Sequence, residues 1–282
     1  MKVLVTGWRG FIGKNVTEYL ESKGCEIIKF GGDLTDFANI TQSFSENPDA
    51  VVHLAAYGND SSHDQILPQG TAKTLETNVV GTSLLISEFI KSSARTFINI
   101  GSSSEYGTQR TPLSIKTPLE GITPYARSKA AVSTLLDGLH VDGKYFRTLR
   151  LFSVFGPYEK ENRLIPTVFR SAVTGQTMPL SSGVHDFIHV KDVCRSILHL
   201  LEMPEICPSI THAASGVQYT NQEVVELVEK VTSRVVSTRP VDKMRTFDTT
   251  NKWVSDTRSL LLDPIYTFQE GLEATWQWIQ NN

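Results

Sequence analysis

Tyr125 and Lys129 stand four residues apart in a segment that begins its helical pattern at about Pro124. Positions i and i+4 share one face of a helix, so phenol and ammonium face the same way. A phenol ordinarily titrates near pH ~10, and a neighbouring ammonium favours its ionised form. Each unit of depression corresponds to about 1.4 kcal/mol. Tyr125 tuned in this way can exchange a proton with a hydroxyl or a carbonyl near neutral pH. The pair alone is a weak signal, because any amphipathic helix can contain it. Ser102 gives it a partner. It lies just past the apolar run Thr96-Phe97-Ile98-Asn99-Ile100, where its hydroxyl could reach the same oxygen as the tyrosine. Two hydrogen bonds to a carbonyl becoming an alkoxide are electrostatic stabilisation of a transition state.

A second device opens the chain. Lys2-Val3-Leu4-Val5 reads as a buried strand, Thr6-Gly7-Trp8-Arg9-Gly10-Phe11-Ile12-Gly13 as a glycine turn, and Phe11 to about Lys23 as a helix. Free N–H groups and the positive end of a helix dipole converge there, where a pyrophosphate can sit. Gly7 permits the tight turn, Gly10 a close approach to phosphate, and Gly13 close helix–strand packing. The spacing is G-x-x-G-x-x-G, so the dinucleotide fingerprint G-x-G-x-x-G is not met letter for letter.

The elements that must position these groups alternate. Strands are expected at 25–30, 50–56, 96–100 and 144–151. Helices are expected from Thr35 or Asp36 to before Pro48, over 71–91, and from Pro124. That rhythm predicts an α/β fold with a doubly wound parallel sheet. After Pro157 it loosens, with helices over 164–174, 191–201, from Thr220 and over 267–280, and a strand over 184–190. The domain expectation is a dinucleotide-binding part, 1–157 with returning segments near 184–200, and a smaller C-terminal substrate-binding lobe, 158–183 and 201–282. Residues 57–70 read as a polar loop, and His53 as a packed strand-end histidine.

With 282 residues, 40% hydrophobic and 20% charged, the chain has the composition of a globular protein with an ample core. A net charge of -3 gives no electrostatic case for nucleic acid or an anionic membrane. No apolar run reaches the roughly 18 residues of a spanning helix, and no signal peptide is read at the start. Cys25, Cys194 and Cys207 lack metal-ligand spacing and read as reduced, buried thiols in a cytoplasmic protein. No metal site is expected.

Taken together, the sequence resembles the extended short-chain dehydrogenase/reductases that act on nucleotide sugars, the epimerase, dehydratase and 4-ketoreductase group with a Rossmann-like fold. The segments carrying this are TGWRGFIG at 6–13, DLTD at 33–36, HLAA at 53–56, NVVGT at 78–82, SSSEYG at 102–107, YARSK at 125–129 and LRLFSVFGP at 149–157, with HDFIHVKDV at 185–193 and FQEGLEATWQWI at 268–279. They span essentially the whole chain. The resemblance implies catalysis by Ser102, Tyr125 and Lys129, the lysine also holding the nicotinamide ribose. It implies an NAD(P) site formed by Gly7, Arg9, Gly10, Phe11, Ile12, Gly13, Asp33, Leu34, Leu54, Ala55, Ala56, Asn78, Tyr125, Lys129, Phe152 and Val154. Asp33 would face the adenine, and Asn78 would orient backbone near the site. Substrate contacts would come from Ser103, Ser104, Ser153, Arg163 and His185. A nucleoside-diphosphate sugar is the expected small-molecule partner, and a homodimer through helices 71–91 and 123–140 is expected from the resemblance alone.

The departures narrow the choice. The place at the second strand end that often holds an acid for the ribose 2′-OH holds Phe30, Gly31 and Gly32. Arg9 could instead pair with a 2′-phosphate, which gives a weak lean to NADP over NAD. In the sugar 4,6-dehydratases an Asp-Glu pair follows the catalytic Ser/Thr. Here Ser103 and Ser104 follow, and Glu105 falls one place late, so dehydration is disfavoured. The Asn of UDP-galactose 4-epimerase relatives is Ser153 here, and their phosphate-binding Arg is His185, with Arg163 and Lys160 as candidate replacements for the charge. The glycine loop looks more like that of GDP-fucose synthase, although Ser104 stands where that enzyme has a cysteine. The expectation is hydride movement at C4 of a nucleoside-diphosphate hexose, leaning slightly to reduction of a 4-keto-6-deoxy sugar, with 4-epimerisation the close alternative. A non-catalytic cofactor-binding member and a small-carbonyl reductase are the more distant rivals.

Overall fold

The computed structural model describes residues 1–58, 68–109, 112–242 and 252–282. In chain order it contains β1 (Lys2–Thr6), α1 (Phe11–Ser22), β2 (Glu26–Lys29), α2 (Phe37–Phe44), β3 (Ala50–His53), α3 (Pro68–Leu75), α4 (Thr82–Lys91), β4 (Thr96–Ser102), α5 (Pro124–Asp137), β5 (Tyr145–Leu151) and β6 (Ser153–Phe155). There follow α6 (Leu164–Thr174), β7 (Met178–Leu180), β8 (Val184–His189), α7 (Val190–Glu202), β9 (Ile210–Ala213), β10 (Gln218–Thr220), α8 (Asn221–Thr232), β11 (Thr238–Pro240) and α9 (Phe268–Asn281).

The main sheet has the order β2-β1-β3-β4-β5-β9. β1 pairs in parallel with β2 and β3, β3 with β4, and β4 with β5. Consecutive residues of a strand point to opposite faces. Val3, Leu4 and Val5 are all fully buried, so both faces of the sheet are covered. This is why the strands read as unbroken apolar runs. The chain leaves β1 for β2 on one side and returns to β3 on the other. That reversal opens a crevice at the carboxyl ends of β1 and β3.

Local chemistry sets the helix starts. The Asp36 side chain accepts from the Ala38 N–H and caps α2. Thr123 caps α5, with Pro124 in its first turn where a missing N–H costs nothing. Thr220 with Glu223 and Thr267 with Glu270 form capping boxes at α8 and α9.

The chain divides into two compact units. The first holds Met1–Gly107, Pro118–Leu151 and Cys194–Thr211; the second holds Thr108–Thr117, Phe152–Val193 and His212–Asn282. The first unit thus ends its main run at Leu151 and takes back 194–211, where the sequence reading drew 157 and 184–200. Its core includes Leu4, Ile28, Val51, Leu85, Phe89, Phe97 and Phe146. The second unit gathers Phe155, Phe169, Phe187, Val224, Phe268 and Leu272 around its own core. Its strands form the order β10-β8-β6 and the pair β11-β7.

Several expectations are corrected. The helix expected over 71–91 starts at Pro68 and is interrupted by a π turn, Glu76–Gly81, between α3 and α4. An extra residue in one turn leaves the apolar pattern on either side helical, so the sequence conceals it. β4 runs two residues further than Ile100, to Ser102, and passes into a 3-10 turn, Ser103–Tyr106. β7, β10 and β11 have only three residues each, too few for a period of two to show. Of the polar loop expected at 57–70, residues 59–67 lie outside the described residues. Cys194 and Cys207 are buried and Cys25 is half-buried, and none of the three is in a disulfide. No described helix is long and apolar enough to cross a membrane.

Phe89 is fully buried, edge-on to Phe97 at 5.3 Å and to Phe146 at 5.4 Å. Phe89→Ala is expected to destabilise the protein by about 3–5 kcal/mol, and Phe89→Leu by clearly less, as read from urea denaturation curves. Equal midpoints for wild type and Phe89→Ala would mean that this packing is not what holds the first unit together.

Candidate functional site

In the first unit a cleft of ≈ 570 Å³ opens at the β1/β3 crevice. Of the expected cofactor residues, Gly7, Arg9, Gly10, Asp33, Leu34, Leu54, Ala55 and Ala56 line it. Gly7 has φ +68°, and a Cβ there would lie 2.6 Å from the Ala55 nitrogen. A Cβ on Gly13 would collide with the Gly7 carbonyl oxygen. Both positions therefore require glycine, one for its conformation and one for close packing. Phe11, Ile12 and Gly13 make the first turn of α1, preceded by Gly10, and no side chain caps that turn. Its N–H groups are the orphan donors of a helix start. The Thr35 N–H and hydroxyl both donate to Asp33 Oδ1, which holds the Asp33 carboxyl below the usual range.

Behind the cleft, His53 is wedged between two threonines. Its Nδ1 lies 2.8 Å from Thr6 Oγ1 and its Nε2 2.9 Å from Thr82 Oγ1. Burial pushes its pKa down to about 3, helped by the Lys129 charge, so the ring is neutral. It packs, as the sequence reading held.

Asn78 sits in the π turn. Its Oδ1 accepts from the Tyr57 N–H at 2.7 Å, and its Nδ2 donates to the Tyr57 carbonyl and to Ser128 Oγ, each at 2.9 Å. The Ser128 hydroxyl donates in turn to the Tyr125 carbonyl at 2.8 Å. Tyr57 lines the cleft, so one chain of hydrogen bonds joins the cleft wall to the helix carrying Tyr125 and Lys129.

That helix, α5, packs on β4 and on the 3-10 turn that follows it. Lys129 is 4% exposed and donates to the Ile100 carbonyl at 2.8 Å. Burial lowers its pKa to about 8, against an upward pull from Glu105. Tyr125 is half-buried one turn earlier. Ser102 ends β4, its hydroxyl 2.8 Å from Ser104 Oγ and accepting from the Ser104 N–H at 3.2 Å. Ser103 is buried and Ser104 half-buried. In the sheet register Thr6, His53 and Asn99 are neighbours, so the glycine turn, Leu54–Ala56 and Ser102 all follow strands at the same edge.

The sequence reading missed what lies beneath Ser102. Glu105 is fully buried. Its Oε1 accepts from the Ser102 N–H at 2.7 Å, and its Oε2 from Arg150 Nε at 2.7 Å. Arg150 Nη1 donates to the Tyr106 hydroxyl at 2.8 Å. Burial pushes the Tyr106 phenol up to about 12, so it stays neutral. The Ser-x-x-Glu spacing was the available signal, since it is the signature of a capping box, and both of its hydrogen bonds form.

Phe152, Val154, Ser153, Arg163 and His185 belong to the second unit. All but Phe152 line a cavity of ≈ 240 Å³ there, with Glu159, Met178, Phe187 and Asn221. Ser153 Oγ lies 3.2 Å from His185 Nδ1. Arg163 Nε is 3.7 Å from Glu159 Oε1. Burial raises the Glu159 pKa to about 8, partly offset by Arg163 and the Gly156 N–H. Lys160 is exposed and does not line the cavity.

The model of the NAD dependent epimerase/dehydratase family matches residues 3–210. The chain belongs to that family. Over 99% of its length it is 25% identical to a dTDP-glucose 4,6-dehydratase of Xanthomonas campestris pv. campestris, covering 93% of that protein. It is 26% identical to a UDP-glucose 4-epimerase of Lactobacillus helveticus, over 82% of each chain. Among solved structures, a Thermus thermophilus UDP-glucose 4-epimerase in complex with NAD superposes with a TM-score of 0.88 at 22% identity, covering 99% of both chains. A dTDP-glucose 4,6-dehydratase of Streptomyces venezuelae with NAD bound gives 0.85 at 25% identity, covering 100% of this chain and 98% of the other. The fold class expected from the sequence is thus found, as is membership of the extended short-chain dehydrogenase/reductases. The lean to NADP finds no support. The family is described as NAD dependent, both structural neighbours hold NAD, and the Arg9 guanidinium lies 4.3 Å over the Trp8 ring.

Gly13→Ala is expected to force the glycine turn off α1 and to cost about 1–3 kcal/mol. Gly138→Ala is the control, because its φ is -88° and a Cβ there meets nothing nearer than the Thr134 carbonyl oxygen at 3.9 Å. Thermal melts of the two variants compare them directly, and a Gly13→Ala variant as stable as the wild type would contradict the close packing.

Proposed function

We propose that this chain is an NAD-dependent enzyme that moves a hydride at C4 of a nucleoside-diphosphate hexose and returns it to the same sugar, a 4-epimerase. The family's dependence on NAD supports the cofactor, and the residues present fit it. Gly7 and Gly13 leave no room for a Cβ, and the uncapped start of α1 offers N–H groups to a pyrophosphate. Gly10, Phe11 and Ile12 would hold the phosphates, Asp33 and Leu34 the adenosine end, and Leu54, Ala55 and Ala56 the floor. When bound, the nicotinamide supplies or accepts the hydride. Tyr125 would take the proton from the C4 hydroxyl and give it back. Lys129 would favour the phenolate and bind the ribose hydroxyls, and Ser102 would hydrogen-bond the C4 oxygen as it becomes a carbonyl.

The observation that carries the choice of reaction is the burial of Glu105. Elimination of water across C5 and C6 needs an acid and a base next to the serine. Ser103 and Ser104 supply neither, and Glu105 is committed to Arg150 and the Ser102 N–H. That favours hydride chemistry without dehydration, although dehydratases are among the relatives. The slight lean to a net ketoreductase draws on the look of the glycine loop and the second-strand turn and, as its one discriminator against epimerisation, on NADP, which finds no support. Without that support, a cofactor recycled within one turnover is the better reading. In the second unit Arg163, His185 and Ser153 are the proposed contacts of the diphosphate.

The test is turnover of UDP-glucose to UDP-galactose without added cofactor, alongside dTDP-glucose scored for a 4-keto-6-deoxy product. Epimerisation is expected and the keto product is not; the reverse result would make the protein a dehydratase. Tyr125→Phe is expected to lower turnover about 10²–10⁴-fold with little change in substrate affinity. Full activity in that variant would remove Tyr125 from the mechanism.

A further inference from the structure

We propose that Glu105 is a positioning residue, which with Lys129 grips the last residues of β4 and whose carboxylate, shared with Arg150, favours the charged form of the buried ammonium. The proposal rests on the reading of Lys129 and Ser102 given above and adds to it a residue that touches neither cofactor nor sugar.

The geometry is specific. Lys129 donates to the carbonyl of Ile100, and Glu105 accepts from the N–H of Ser102, so only Gly101 separates the two gripped residues. Gly101 has no room for more. A Cβ there would sit 2.7 Å from Glu105 Oε1 and 2.9 Å from Arg150 Cγ. In the register of β4 and β5, Gly101 faces Arg150 and Ser102 faces Leu151, so the arginine rises from the strand beside the one it helps to hold. The Arg150 side chain is 2% exposed and that of Glu105 is not exposed at all. A buried ion pair contributes little net stability against well-packed apolar residues. Its value here lies in where it fixes the backbone of Ser102 and in the charge it places near Lys129.

The charged and titratable groups around Lys129 can be named element by element. The 3-10 turn brings Glu105 and Tyr106, β5 brings Arg150, and β3 brings His53. Its own helix carries Tyr125 one turn before it and Arg127 on the exposed side. From α3 and the π turn come Lys73 and Glu76, with side chains 44% and 56% exposed. Tyr145 and Arg147 lie at the far end of β5, with Arg147 donating to the Pro204 carbonyl. Tyr106 and His53 are neutral near pH 7. Glu105 is the group that opposes the loss of the Lys129 proton. Without it, Lys129 should lose its proton at a lower pH.

The test measures NADH affinity by fluorescence titration from pH 6 to pH 10. Wild-type affinity is expected to fall with a midpoint near the Lys129 pKa of about 8, as the ammonium that binds the ribose is neutralised. Glu105→Gln alone leaves Arg150 buried without its counter-charge and threatens folding. The informative variant is therefore Glu105→Gln with Arg150→Met, which keeps an acceptor for the Ser102 N–H and removes both charges. Its midpoint is expected to lie lower, by less than loss of the Glu105 charge alone would give because the Arg150 charge leaves with it, with a melting temperature close to the wild type. Lys129→Met separates the two levels of the argument, because it should abolish the pH dependence. If Lys129→Met abolishes it and the double variant keeps the wild-type midpoint, Glu105 is merely structural and the proposal is overturned. If Lys129→Met binds NADH with the wild-type pH dependence, the reading of Lys129 itself is at fault.

Discussion

An ammonium group taken out of water sets the terms for the first unit. Lys129 loses almost all its hydration at the edge of the sheet, and burial of that kind is costly unless partners replace the water. One partner is the Ile100 carbonyl and the other is the field of Glu105. Glu105 cannot be buried alone either, so Arg150 answers it, and Arg150 in turn occupies Tyr106. Each of these requirements removes freedom from the turn that carries Ser102. The places of the Lys129 ammonium and of the Ser102 backbone thus follow from a need to satisfy buried charge.

The parallel sheet makes that concentration possible. Every strand from β1 to β5 runs the same way, so the residues that follow them meet at one edge. Backbone must come close there, and glycine is used where a Cβ would collide, at Gly7, Gly13 and Gly101. The polar ties run through the same region. Thr6, His53 and Thr82 link the glycine turn to α4, and Asn78 with Ser128 links the cleft to α5.

Much of this was legible in the sequence because local rules agreed with the global fold. The α6 boundaries could be read directly, since the apolar period stops at Thr174 and Gly175 takes the left-handed conformation that ends a helix. The glycine turn, the helix start at Pro124 and the paired Tyr125 and Lys129 were visible for the same reason. The π turn was not, because one extra residue leaves both flanks in helical register. Nor were the three-residue strands of the second unit, whose pairing is decided by partners far away in the chain. Glu105 was legible in part. Counting from Tyr106 shows that it is displaced from the acid of the dehydratases, but Arg150, 45 positions later, cannot be found by local spacing.

The π turn at Glu76–Gly81 has a consequence for how this chain can vary. One residue advances an α-helix by about 100°. A π turn takes up one residue without that swing, so a deletion within it would restore a plain α-helix and keep the faces of α3 and α4, while Asn78 lost its grip on Tyr57. Substitution is another matter, since Leu75 and Val80 face solvent at 43% and 52% exposure. Within the turn Asn78 and Gly81 are held by their contacts and Val80 is not, so drift in this protein should fall on the exposed letters there, and a lost residue would cost the hold on the cleft wall and not the course of the helix.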